Sequence, residues 1–244
     1  MRLLRSIAFW SLLALLVPQA IRVRRAAPRF SGAPGPRSGR AGSGPAHRLV
    51  GLGDSVIDGV GCSSLHSALI GRTAEALARR AHARIDWRVA ARTGANTRRI
   101  RTRLVPDGGL EDADFVLVST GVNDVTALTR LDDFRTELQR LLDGIRARAP
   151  SAAIAVNGLP PMHLFPALPQ PLRFTLGLRA RQLDEVVEEV AAGEPGVRRV
   201  PIAFDDDGEA LAARFAADGY HPSESSCGEL AEMAAVALID AKPP

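Results

Sequence analysis

From residue 47 onward, short unbroken apolar runs alternate with longer stretches of helical period. The runs LVGLG, FVLVST and AIAVNG are continuous rather than alternating, as in strands covered on both faces. They predict strands at 48–53, 115–120 and 152–157, with two more at 85–90 and 197–202. Between them the pattern predicts helices over about 66–82, 97–104, 131–149, 175–192, 208–214 and 224–240. Alternating βα units imply a parallel sheet with helices on both sides. Ligands of such sheets sit at the carboxyl ends of the strands, so the residues just after each strand are where chemistry is expected. No internal repeat interrupts the pattern.

The first 46 residues break it. Arg2 and Arg5 precede an uncharged stretch from Ser6 to Ile21, which ends before Arg22, Arg24, Arg25 and Arg29. Residues 1–27 therefore read as a targeting or anchor segment. Pro18 and Ala20 make a poor cleavage site, and the uncharged stretch is short for the roughly 20 residues of a spanning helix. The expectation is attachment to a membrane through this segment, or export if it is cleaved, with sidedness open. Residues 28–46 are rich in Pro, Gly, Ser and Arg without apolar periodicity and predict a flexible linker, which leaves 47–244 as the folded domain.

Charge sharpens that division. Residues 1–47 carry eight arginines and no acid, leaving 23 basic against 27 acidic side chains and a net of about −4 for the rest. The basic excess lies outside the domain, which argues against nucleic acid as a partner. The only lysine is Lys242, so the domain has no phosphate-loop or Schiff-base lysine. Cys62 and Cys227 are the only cysteines, and the five histidines lack ligand spacing. No metal and no cofactor are expected. Two separate buried thiols are the default for the cysteines, and a disulfide is the alternative in an oxidising compartment.

Four polar clusters fall where chemistry is expected: Gly53-Asp54-Ser55, Thr93-Gly94-Ala95-Asn96, Gly121-Val122-Asn123-Asp124 and Asp218-Gly219-Tyr220-His221-Pro222. A serine hydroxyl needs a base in contact to become a nucleophile, and His221 is the histidine placed to serve. Asp218, three residues earlier, can fold back onto one imidazole nitrogen while the other faces Ser55. Taken singly, Ser55 reads as a turn or cap serine, His221 as a loop histidine and Asp218 as a turn former. In these clusters, over about 195 residues from His47 to Ala241, the chain resembles the SGNH or GDSL hydrolase family.

The resemblance implies a three-layer α/β/α fold with a flavodoxin-like parallel sheet of about five strands. It also implies a serine esterase or lipase with Ser55, His221 and Asp218 as catalytic triad. The Ser55 amide, the Gly94 amide and the Asn123 side chain would form the oxyanion hole. Glycine at 94 would let the backbone approach substrate with no Cβ in the way, and Asn123 would donate without carrying charge. Asp54 and Asp124 are read as loop organisers that accept backbone N–H groups.

The apolar, proline-rich segment 159–174 follows the fourth strand. Its Met162, Leu164, Phe165 and Leu168 would line an acyl or alcohol pocket, or else pack as a rigid loop on the domain. His163 within it is read as a surface residue. The expected substrate is a small-molecule or lipid ester, with short- to medium-chain acyl groups. Carbohydrate deacetylation and acyl transfer share the same motifs and stay open, and oligomeric state is not legible.

Other readings fit less well. A dinucleotide-binding strand would need its third glycine at position 56, which is Val56. An α/β-hydrolase would need G-x-S-x-G, which the chain lacks. A non-catalytic binding module would have lost part of the set, whereas every expected residue is present.

Overall fold

The computed structural model describes residues 2–26, 28–202 and 209–242. Six strands form one sheet: β1 (Ser38–Ala41), β2 (Ala46–Gly53), β3 (Arg84–Ala91), β4 (Phe115–Ser119), β5 (Ala153–Asn157) and β6 (Val197–Val200). Their order is β1-β3-β2-β4-β5-β6, with β1 antiparallel to β3 and the other pairs parallel. Every residue of β4 and β5 is buried, the reason their sequences read as unbroken apolar runs.

The five parallel strands are joined by α2 (Leu69–Ala81), α3 (Thr97–Arg103), α5 (Leu131–Arg146) and α6 (Leu172–Gly193). Three shorter or later helices complete the domain: α4 (Val122–Thr126), α7 (Glu209–Ala213) and α8 (Glu224–Ala241). Helices α2 and α8 share one core with Leu49, Ile85, Phe115 and Leu117. On the opposite face α3, α5 and α6 pack with Val50, Leu52, Val116 and Ile154. This is the expected three-layer fold, and the strand order reverses at β2, between its neighbours β3 and β4. A crevice opens at such a reversal, at the carboxyl ends of the strands.

One N-terminal expectation is corrected. The stretch 28–46 carries β1, which pairs with β3 through Ser38–Arg88 and Ala41–Ile85. Its Arg37 carbonyl accepts the Val89 amide at 2.9 Å, and the Arg37 guanidinium meets Asp58 at 2.8 Å. The stretch has no apolar period because it is an edge strand held by main-chain pairing, not by a buried face. Gly39 belongs there because a Cβ would fall 2.4 Å from the Trp87 ring.

The first helix, α1 (Arg2–Ala26), packs on α6. Its Phe9 and Leu13 are buried, and the Arg179 guanidinium lies 5.3 Å from the Phe9 ring centroid. Gln19 donates to the Gln170 carbonyl at 2.9 Å and accepts from the Leu172 amide at 3.2 Å. Among the described residues no helix is long and apolar enough to cross a membrane.

Candidate active site

The loop after β2 starts at Gly53, where a Cβ would fall 2.4 Å from the Ser119 carbonyl oxygen of the neighbouring strand. Asp54 then turns the chain. Its Oδ1 accepts the Val56 amide at 3.1 Å and the Ser119 hydroxyl at 3.0 Å. This turn points Ser55 into the crevice. The α7–α8 connection supplies the other half. Asp218 Oδ1 accepts the amides of Tyr220 at 2.8 Å and His221 at 2.9 Å, closing a turn in which Gly219 has φ +67°.

The structure thereby brings three distant residues together. His221 Nε2 lies 2.9 Å from Ser55 Oγ, and His221 Nδ1 lies 2.8 Å from Asp218 Oδ2. With Nδ1–H donating to the carboxylate, Nε2 carries the lone pair that faces the hydroxyl. Burial pushes the Asp218 carboxyl up, but the two loop amides and the imidazole outweigh it and hold it below the ordinary carboxylate value. Asp218 is thus a standing anion behind the ring. Phe30 packs edge-on against the imidazole with ring centroids 4.8 Å apart, and His221 is buried.

The donors implied by resemblance line the same cavity as Ser55. Gly94 has φ +79°, and a Cβ there would meet nothing within 4 Å. Its glycine is therefore demanded by backbone conformation rather than by crowding from the protein. Asn123, in the first turn of α4, donates one Nδ2 hydrogen to the Ala95 carbonyl at 3.0 Å. That bond fixes the carboxamide and leaves its second N–H to serve the cavity.

Two carboxylates not singled out for catalysis hold these loops in register. Asp124 Oδ2 accepts the Thr97 amide at 2.9 Å and hydroxyl at 2.8 Å, and Oδ1 accepts Thr129 Oγ1 at 3.1 Å. Asp58 Oδ2 accepts the Thr93 amide at 3.2 Å and hydroxyl at 2.7 Å. Asp58 thus ties the loop of Gly94 to the loop of Ser55, a role the sequence reading missed.

The cavity beside Ser55 measures about 900 Å3. Met162, Phe165 and Leu168 line it, whereas Leu164 does not. The expectation for Leu164 is corrected: in the 3-10 turn Met162–Leu164 it is buried away from the cavity. His163 is exposed. The sequence reading missed the contribution of α1, whose Leu13, Val17, Ala20, Ile21 and Val23 form part of the wall. It also missed Phe30, the one bulky apolar residue in the stretch 28–46 and the only hint there of a packing role. Cys62 and Cys227 are free thiols with Sγ atoms 3.8 Å apart and no disulfide between them, Cys227 buried and Cys62 partly so. Among the described residues no group of three or more His, Cys, Asp or Glu is arranged to hold a metal ion.

A parallel sheet covered on both faces, with a polar cluster at its topological switch, defines the class as a three-layer α/β/α protein with a site at its strand ends, and the comparisons specify it. Residues 52–225 match the GDSL-like Lipase/Acylhydrolase family model. A GDSL-like esterase of Mycobacterium tuberculosis is 30% identical over 93% of this chain and 76% of its own length. The crystal structure of the lipase Lip_vut3 from a goat rumen metagenome superposes with a TM-score of 0.60 at 16% identity, over 78% of this chain and 97% of its own. The Clostridium thermocellum family 3 carbohydrate esterase gives 0.57 at 20% identity, over 77% and 92%. The chain belongs to the GDSL-like lipase/acylhydrolase family. It is accordingly a carboxylic ester hydrolase.

Proposed function

We propose that the chain cleaves short- to medium-chain acyl esters or lipid esters by double displacement at Ser55. His221 Nε2 takes the hydroxyl proton as Oγ attacks the ester carbonyl, and the tetrahedral intermediate's oxyanion accepts from the Ser55 and Gly94 amides and the Asn123 side chain. Collapse of the intermediate breaks the ester C–O bond, and the imidazolium returns its proton to the departing alcohol. Water then attacks the acyl-enzyme by the same route and frees the acid. Asp218 fixes the tautomer and stabilises the imidazolium, and donors aimed at the oxyanion favour the transition state over the bound ester.

The contact of 2.9 Å between Ser55 Oγ and His221 Nε2, backed by Asp218, carries this reading. The aliphatic wall from Leu13 to Leu176 favours an acyl chain over a sugar as the group bound there. A series of p-nitrophenyl esters from acetate to dodecanoate tests it. Ser55→Ala and His221→Ala should lose turnover, and Asn123→Ala should lose roughly 10²–10³ in kcat, about 2.7–4 kcal/mol. Turnover retained by Ser55→Ala would reject the mechanism. Efficient release of acetate from acetylated sugars, with no gain along the acyl series, would favour carbohydrate deacetylation instead.

Membrane attachment through residues 1–27 belongs to the same proposal, as surface binding rather than spanning. Trp10, Leu15, Val17 and Ile21 are exposed on α1, beside exposed Arg22, Arg24 and Arg25, a combination suited to an anionic lipid surface.

A further inference from the structure

The cavity wall is mostly aliphatic, yet one buried carboxamide in it has no partner among the described residues. Asn157 ends β5, lines the cavity and is 2% exposed. Among the described residues neither its Oδ1 nor its Nδ2 has a hydrogen-bond partner. Buried polar side chains are nearly always satisfied, and an orphan calls for an explanation. Asp54 and Asp184 make other bonds and none to Asn157. Asp54 holds the Val56 amide and the Ser119 hydroxyl. Asp184 holds the Leu159 amide and Arg199.

Strand register locates the orphan relative to the nucleophile. Gly53 pairs with Ser119, and Val118 pairs with Val156, so Asn157 continues the row formed by Gly53 and Ser119. Strands lie about 4.8 Å apart, which puts β5 roughly 10 Å from the end of β2 that leads into Ser55. That span fits one ester substrate reaching from the hydroxyl of Ser55 to the carboxamide.

We propose that Asn157 is a specificity-determining residue that receives hydroxyl groups of the ester substrate. A carboxamide offers one acceptor and two donor hydrogens and no charge. Its complement in an apolar wall is a neutral group that both donates and accepts, because an ion would lose its hydration there. A hydroxyl or vicinal diol meets that requirement, one O–H donating to Oδ1 and a hydroxyl oxygen accepting from Nδ2. A cavity that provides such a group discriminates against substrates lacking the hydroxyl, since they leave the carboxamide unpaired. The hydroxyl can belong to the alcohol, as in a glycerol monoester, or to the acyl chain, as in a hydroxyacyl ester.

The inference rests on the reading of Ser55 as the reacting centre, and two comparisons separate the sources. One sets glyceryl 1-monobutyrate against propyl butyrate, and the other sets ethyl 3-hydroxybutyrate against ethyl butyrate. The expected result is at least a tenfold preference in kcat/KM for the hydroxylated ester in one arm, reduced to within twofold by Asn157→Leu. Calorimetric binding of the same four esters to Ser55→Ala protein reads the preference without turnover. If wild-type protein shows no Ser55-dependent hydrolysis, the catalytic reading fails while the binding arm still judges Asn157. Thermal melting provides the structural control: an amide with no partner in the protein should be replaced by leucine without loss of Tm. A Tm lowered by several degrees in Asn157→Leu, or preferences equal in wild type and variant in both arms, would overturn the proposal.

Discussion

At the residue scale, Asp54 shows how a motif position beside Ser55 can be set by packing. Burial pushes its carboxyl up to about 7, against the opposing pull of the Val56 amide and the Ser119 hydroxyl. The folded chain therefore holds a proton on Asp54, between about pH 4 and pH 7, that the unfolded chain releases. With the folded value raised, the stabilising contribution is complete below that window and is lost as pH rises through it. Asn in its place keeps an oxygen for both donors and carries no charge. Thermal melts from pH 4 to pH 8 should show Asp54→Asn gaining on the wild type as pH rises. A difference that stays constant with pH would contradict the assignment. Asp218 stands opposite: its carboxyl is held below the ordinary value by the His221 and Tyr220 amides and the ring despite its burial, so it stays ionised where Asp54 does not. Two aspartates adjoining the same site thus take different protonation states from burial, donor count and neighbouring charge.

At the element scale, α1 shapes the cavity beside Ser55. It is fixed to α6 by the two Gln19 hydrogen bonds and by Phe9 under Arg179, and it presents Leu13, Val17 and Ala20 to the cavity. A large side chain at Ala20 should shorten the space for acyl chains without touching Ser55. In Ala20→Trp, kcat/KM for p-nitrophenyl dodecanoate should fall about tenfold relative to acetate, an extra barrier of about 1.4 kcal/mol. An unchanged chain-length profile would mean that acyl groups lie elsewhere. The segment after α1 matters in the same way: Phe30 covers one face of the His221 ring, and Arg37 ties that segment to Asp58.

At the scale of the whole molecule, the layered sheet was legible because β2, β4 and β5 carry unbroken apolar runs and stretches of helical period lie between the strands. The four polar clusters were legible because they fall after strands or before the last helix, where a doubly wound sheet collects its ligand residues. Ser38–Ala41 was not, since SGRA has no apolar signal and owes its strand to pairing with β3. The docking of α1 was hidden for a related reason: an arginine-flanked apolar helix looks alike whether it meets lipid or another helix. Asn157 reads only as the last residue of a predicted strand, and only coordinates reveal that its amide has no partner among the described residues. Leu164 shows the limit within a motif-free loop, where apolar character does not say which side chains face the cavity. The exposed apolar and arginine residues of α1 predict that the intact chain floats with anionic vesicles and is released by salt. Equal recovery with neutral and anionic vesicles would remove the electrostatic part of that claim.

The central claim is that one serine becomes covalently acylated because an imidazole and a carboxylate stand in line behind it. Labelling the intact protein with an alkyl fluorophosphonate, followed by peptide mass mapping, reads this directly. The account predicts a single adduct on Ser55, absent in Ser55→Ala and formed at least a hundredfold more slowly in His221→Ala. An adduct on any other residue, or labelling undiminished in Ser55→Ala, would contradict it.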